Sequence, residues 1–303
     1  MPKNAVKIQG FAFKGLTISA SLIIVAMLAL IIGNIVINGH GKISWGFFAK
    51  APEQGMTAGG IFPAIFGTVA LVILMTIAVV PLGVLTAVHL HEYAKPDSKT
   101  ARFIRVAVSN LAGVPSIVFG LFGLGFFVSF IGGGIDKLFL GGEVAWGQPA
   151  IIWASLTLAV LTLPVVIVST EEALRAVPDE YREASYALGG TKWQTIRRIV
   201  LPHSIPGILT GSILAISRGA GEVAPIMFTG AAYFLPYLPH KLNHQFMELG
   251  YHIFVMSTQS PDVEATKPIL YGTVLVLLML TFALNLLAIL IRSKIRSAQR
   301  KGR

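Results

Sequence analysis

Six stretches of this chain are apolar for about twenty residues or more, at roughly 16–37, 62–88, 106–131, 150–169, 205–228 and 269–291. A helix needs about 20 apolar residues to cross the hydrocarbon core of a bilayer. The pattern therefore predicts an all-α integral membrane protein with six transmembrane helices. Composition agrees, since 303 residues that are 54% hydrophobic and only 13% charged do not make a soluble domain. Cysteine is absent, which excludes disulfides and thiolate metal or redox chemistry. A formal charge of +10 would suit a nucleic-acid binder, but the basic residues flank the apolar stretches, as juxtamembrane residues do. Lys3, Lys7 and Lys14 precede the first stretch, which is too long for the core of a cleaved signal peptide and shows no small-x-small site. It reads as a retained signal anchor.

Lysine and arginine counts give the expected orientation. Alternate connections carry eighteen and five, and the basic set includes both termini and residues 170–204. By the positive-inside rule both termini and the 170–204 connection face the cytoplasm, in the inner or plasma membrane. That connection holds EASYALGGTKWQTIRRIVLP at 183–202. A helix ending at Leu188 is stopped by Gly189-Gly190, because glycine takes the left-handed cap conformation without steric cost. Thr191 with Gln194 fits a capping box that starts a second helix, expected to run to Leu201 and to be cut off by Pro202. Upstream, Ser169-Thr170-Glu171-Glu172 is another possible capping box, for a helix near 170–177, and Pro178 suits the first position of the next helix. The result is a helix–turn–helix knob carrying Lys192, Arg197 and Arg198.

The spacing of this knob resembles the EAA loop of ABC-importer permeases. Glu183, Ala184, Gly189, Ile199, Leu201 and Pro202 match, while Ser185 stands in place of the second alanine. The resemblance implies that the knob is a coupling helix seated in a cleft of a separate ATPase subunit. No Walker A pattern is present, so ATP would be used by that partner and this chain needs no cofactor.

The second stretch ends IAVVPLGVLTAVHLHEYAK, where Pro81 and Gly83 can kink a helix. The third contains NLAGVPSIVFGLFGLGFFV, whose glycines allow close helix approach. Ser116 in it can bond a substrate or its own helix backbone. The fifth stretch, IPGILTGSILAISRGAGEVAPIMF, is the least apolar and contains Arg218 and Glu222. Four residues apart, they share one helix face. Each charge costs about 2.5–3.5 kcal/mol at membrane depth on insertion scales. Such a pair is either a compensated structural ion pair or the lining of a polar pathway, the guanidinium offering paired donors to an oxyanion. Counting from Ile205, Arg218 is expected about 20 Å into the membrane, beyond the midplane towards the outer side.

SRGAGEVAPIMFTGAA is similar to the Arg-x-x-Gly-Glu-x-Ala-Pro stretch of the A-type membrane subunit of phosphate ABC importers (PstA-type). VPLGVLTAVHLHEYAK, GVPSIVFGLF and NLLAILIRSKIR extend the resemblance over nearly all the chain from about residue 60. Val223 departs from it, standing where many relatives carry threonine. The resemblance implies a MetI-like permease fold, phosphate transport involving Arg218 and Glu222, a second related permease, two copies of a cytoplasmic ATPase and an extracytoplasmic phosphate-binding protein. It divides the chain into an N-terminal segment with the first anchor and outer loop (1–61), the permease domain (62–292) and a basic tail (293–303), whose charge suits anionic lipid.

His240, His244, Glu248 and His252 recur every four residues in the last outer connection. On a helix they form one drifting face, which suits zinc. It equally suits the polar side of an interfacial helix whose other side holds Leu242, Phe246 and Leu249, and this second reading is preferred; no metal site is assigned. The sequence thus points to a transport subunit without its own reaction chemistry, for phosphate or for another oxyanion such as molybdate or sulfate. A proton-coupled carrier using Glu222 is a further alternative, and so is a metal transporter using the histidines.

Overall fold

The computed structural model describes residues 3–95, 97–260 and 262–301. Among them are six helical segments long and apolar enough to cross a membrane. The first lies within α1 (Lys3–Gly39), a single helix that includes the basic N-terminal residues. It leans on the last helix of the chain near Gly39, which abuts the backbone of Tyr271, while residues 13–32 are exposed. A short helix α2 (Trp45–Ala49), capped by Ser44, and a two-residue hairpin of β1 (Pro52–Glu53) with β2 (Ala58–Gly59) lead into the bundle.

The second span is α3 (Phe62–Val88), unbroken through Pro81 and extended by a π-helical turn, His89–Tyr93. Ser98 then caps α4 (Lys99–Leu111), a separate amphipathic helix that buries Ala101 and exposes Phe103 and Val106. The third span therefore begins about ten residues later than hydropathy suggests. It comprises α5 (Ser116–Gly123), a π-helical stretch Leu124–Gly132, and α6 (Gly133–Phe139). Gly113 and Pro115 separate α4 from it. Residues 106–111 are apolar enough to mimic a span, yet Arg102 and Arg105 beside them keep that helix at the end of the bundle, where Arg105 binds Glu171 at 3.0 Å.

The most buried span is α7 (Ile151–Arg175), which continues past Ser169 without a new cap because the Ser169 hydroxyl donates back to Val165 O. Its first N–H groups are satisfied from outside the helix. Ala150 N, Ile151 N and Ile152 N donate to the carbonyls of Thr229, His244 and Leu242 at 2.9, 2.9 and 3.2 Å. The core lies where α3 and α7 meet, around Leu71, Met75, Leu158 and Val166.

The knob follows. Pro178 is the cap, not the first residue, of α8 (Asp179–Ala187). After the Gly189-Gly190 turn comes α9 (Lys192–Thr195), which passes through a π-helical turn, Ile196–Val200, into α10 (Leu201–Gly219) without interruption. Pro202 does not cut the helix as expected. A proline has no N–H to return to the preceding turn, and the wider π turn just before it takes up the mismatch.

α10 and α7 run antiparallel along a seam of small residues. Gly207 meets Ala173, Gly211 meets Ser169, and Gly219 comes near Thr162. With Ala215 fully buried between them, α10 presents a small residue every fourth position, which lets two backbones approach closely. The chain then turns irregularly, pairs Ala231 with Phe246, and forms α11 (Leu249–Thr258) before the last span, in α12 (Val263–Lys301). The basic tail continues α12 as far as Lys301, and its final two residues lie outside the described ones.

Candidate functional site

Arg218 and Glu222 do not share a helix face. α10 ends at Gly219, and Glu222 sits in the turn beyond it. Hydropathy reads 220–228 as membrane helix, but Pro225 and three small residues leave the α-helical ladder. Their backbone groups find partners locally instead, as Ile226 N and Met227 N do at Val223 O, both 3.2 Å. The two charges still meet, with Arg218 Nε donating to Glu222 Oε1 at 3.4 Å. Among the described residues this is the one hydrogen bond of the Arg218 side chain, so four of its five donors remain for another acceptor. Side-chain exposures of 47% for Arg218 and 20% for Glu222 leave the pair accessible.

The neighbours of Gly219 place the pair along the bundle. Gly219 abuts Met75, at the middle of α3, and Thr162, at the middle of α7. Arg218 therefore lies level with the middles of α3 and α7. The preceding residue, Ser217, donates to Asn285 Oδ1 of α12. Asn285 escaped the sequence reading, although a lone carboxamide within an otherwise apolar span is the signal that would find it. On the other side of Glu222, Val223 packs against Gly250 at the start of α11.

Ser116 opens α5. Gly123 of the same helix touches Thr157 and Thr229, and Gly120 touches Ala224 and Pro225 of the turn after Glu222. Seven residues before Gly123, Ser116 lies about 10 Å further along the antiparallel pair, level with the middle of α7. No hydrogen bond among the described residues joins it to Arg218 or Glu222. At the first position of a helix it has no preceding turn to bond back to, so that expectation fails. Gly120 and Gly123 serve close packing as the glycine-rich run predicts, whereas Gly125 meets nothing within 4 Å.

The second cluster is the knob, at the far end of α7 and α3. Gly189 has φ +80°, the left-handed conformation that stops α8. Thr191 and Gln194 form the reciprocal capping box, with Thr191 N to Gln194 Oε1 at 2.9 Å and Gln194 N to Thr191 Oγ1 at 3.3 Å. Ser185, the departure from the alanine pattern, shares a 2.8 Å hydrogen bond with Thr195 and so ties α8 to the second helix. Glu183, Ala184 and Gly189 are exposed, Ile199 and Leu201 are half-buried at the base, and Pro202 follows them. Leu188, 90% exposed, and Trp193, 55% exposed, cap the tip with apolar surface.

The histidine stripe does not form. His240 and His244 lie on irregular chain, and helix begins only at Leu249. Glu248 and His252 are buried, not the polar face of an interfacial helix, and Leu242 is exposed. The described residues contain no group of three or more His, Asp or Glu placed to hold a metal ion. Glu248 instead caps α11, its carboxylate accepting from Gly250 N at 2.8 Å and Tyr251 N at 2.7 Å.

Residues 79–300 match the family model described as "Binding-protein-dependent transport system inner membrane component". Over 257 residues the chain is 36% identical to the "Probable ABC transporter permease protein YqgI" of Bacillus subtilis (strain 168), covering 80% of this chain and 82% of that one. Over 263 residues it is 34% identical to the phosphate transport system permease protein PstA of Yersinia pestis, covering 86% and 81%. A chain of the MetNI methionine ABC transporter, solved in an inward-facing conformation, superposes with a TM-score of 0.59 at 19% identity, over 78% of this chain and 95% of that one. The last likeness establishes the MetI-type fold and nothing finer.

Proposed function

Since this chain belongs to the family of binding-protein-dependent transport system inner membrane components, we propose that it is the A-type permease subunit of an ATP-driven phosphate importer. The observation that carries the reading is Arg218 with Glu222 at the broken end of α10, accessible and half-way through the bundle. A pathway for an oxyanion needs a cation at that depth with donors to spare, and a guanidinium supplies them in a planar fork. Glu222 holds the guanidinium in place and weakens its grip, so that phosphate is attracted without being trapped. Ser116, level with the pair on α5, adds a hydroxyl to the same stretch of pathway. The similarity to the phosphate transport system permease protein of Yersinia pestis supports phosphate over other oxyanions.

Transport in this reading needs partners. A second related permease completes the pathway, two copies of a cytoplasmic ATPase dock on the paired knobs, and an extracytoplasmic binding protein delivers phosphate. The knob and both termini face the cytoplasm, in keeping with the basic residues around them. Glu183, Ala184 and Gly189 present the docking surface with Leu188 and Trp193, while Ile199, Leu201 and Pro202 fix its base. ATP binding draws the ATPases together and moves the knobs; hydrolysis and phosphate release reset them. The chain contributes no nucleotide-binding motif and no reaction chemistry of its own.

The test is phosphate uptake and phosphate-stimulated ATP hydrolysis by the reconstituted complex. Arg218→Gln is expected to abolish uptake while the complex still assembles, and Glu183→Lys to lose ATPase docking. Undiminished uptake by Arg218→Gln makes the pair structural and removes the physical support for an anion pathway.

A further inference from the structure

We propose that the buried Arg182–Glu92 ion pair is the linkage that carries movement of the knob to α3, and through α3 to the Arg218 turn. The proposal rests on the knob being the docking element for the ATPase. Arg182 belongs to α8, one residue before Glu183, but turns inward from the exposed face. Its Nη2 donates to Glu92 Oε1 at 2.8 Å and Leu174 O at 3.0 Å, and its Nη1 to Val177 O at 2.8 Å and Asp179 Oδ1 at 3.0 Å. The side chains of Arg182 and Glu92 are only 11% and 7% exposed. One knob side chain thus grips the ends of both central spans, α7 through the Leu174 carbonyl and α3 through Glu92.

The second knob helix holds the same turn of α3. Lys192 Nζ stands 5.0 Å from the centre of the Tyr93 ring, which stacks on His89 at 6.4 Å. His91 Nδ1 lies 3.1 Å from Glu92. The gripped segment, His89–Tyr93, is π-helical. Such turns recur at functional sites. Above it α3 is unbroken to Met75, roughly 20 Å away by helical rise, and Met75 packs on Gly219 beside Arg218. A covalent route also runs from the knob to Arg218, through its own π turn with Pro202 and Pro206, just as the α3 route carries a π turn and Pro81. Neutralising either partner breaks the buried pair, leaving as ion-pair partners among the described residues only the exposed Asp179 for Arg182 and only His91 for Glu92, so the grip on α3 is lost while the exposed docking face keeps its residues.

The experiment compares wild type, Arg182→Gln and Glu92→Gln in the full complex in proteoliposomes. It measures ATPase co-purification, ATP hydrolysis and phosphate taken up per ATP. Both variants are expected to retain the ATPase and to hydrolyse ATP, while phosphate moved per ATP falls about tenfold, within the range of site-to-site couplings. A purely structural pair predicts a different result: fewer folded complexes lower hydrolysis and uptake in step and leave their ratio unchanged, which overturns the proposal. Should Arg182→Gln fail to assemble, Glu92→Gln, which preserves shape, decides by the same ratio. A wild-type complex that never recruits the ATPase overturns the docking reading and this linkage with it.

Discussion

Glu248 shows how far one residue can depart from its sequence pattern. Read as a member of a polar stripe, it is instead 1% exposed and caps α11. Burial pushes its carboxyl up from 4.5 to about 7, against the pull of the Gly250 and Tyr251 N–H groups and of Thr68. Burial alone pushes His252, one turn on, down from 6.5 to about 4. The two act on stability in opposite directions. Between pH 4.5 and 7 the folded protein holds more of the Glu248 proton than the unfolded chain, so this group makes stability fall as pH rises. Between pH 4 and 6.5 the unfolded chain holds more of the His252 proton, so that group makes stability rise with pH. In the wild type the slopes oppose one another over the shared window. Glu248→Gln leaves only the histidine, and its melting temperature should climb steadily from pH 4 to 6.5 and then level. Melting curves for both proteins across pH 4 to 8 check this, and parallel profiles would refute it.

At the scale of elements, the small-residue seam between α10 and α7 makes a sharp prediction. A side chain at Gly211 would run into Ser169, whereas one at Gly125 meets nothing within 4 Å. Overpacking a tight contact costs about 1–3 kcal/mol. Gly211→Leu should therefore lower the melting temperature of the purified protein clearly, and Gly125→Ala should leave it unchanged; equal effects would mean the seam is not a tight contact. The seam was partly readable, since Gly207, Gly211, Ala215 and Gly219 recur every four residues, but their partners Ala173, Ser169 and Thr162 come from another helix. The ends of elements were harder still. Residues 220–228 are apolar enough to read as a span, and the contacts that hold the chain beyond Gly219, such as Ala150 N donating to Thr229 O, lie in no local window. The capping box at Thr191 and the glycine stop at Gly189 were legible because their partners lie within four residues. Asn285 stands out in its apolar span, but its partner Ser217, 68 residues away, does not follow from the sequence.

The whole molecule has two unlike ends, and the proposed function fixes which compartment each must face. One end holds the knob, with Leu188 90% exposed; the other holds the connection after α6, where Val144 is 70% exposed. An ATPase can dock on the knob only from the cytoplasm, so Val144 must face outward. The lysine and arginine bias argues the same orientation from independent physics. Because the chain has no cysteine, a single introduced one can be labelled without background. A membrane-impermeant maleimide added to intact cells, with the outer membrane opened where there is one, should modify Val144→Cys. It should leave Leu188→Cys unmodified until the inner membrane is permeabilised. The reverse pattern would put the knob away from ATP and defeat coupling by a cytoplasmic ATPase, whatever Arg218 does. The expected pattern would place the Arg182–Glu92 pair at the cytoplasmic end of α3, where a force generated by ATP can reach it before it reaches the middle of the membrane.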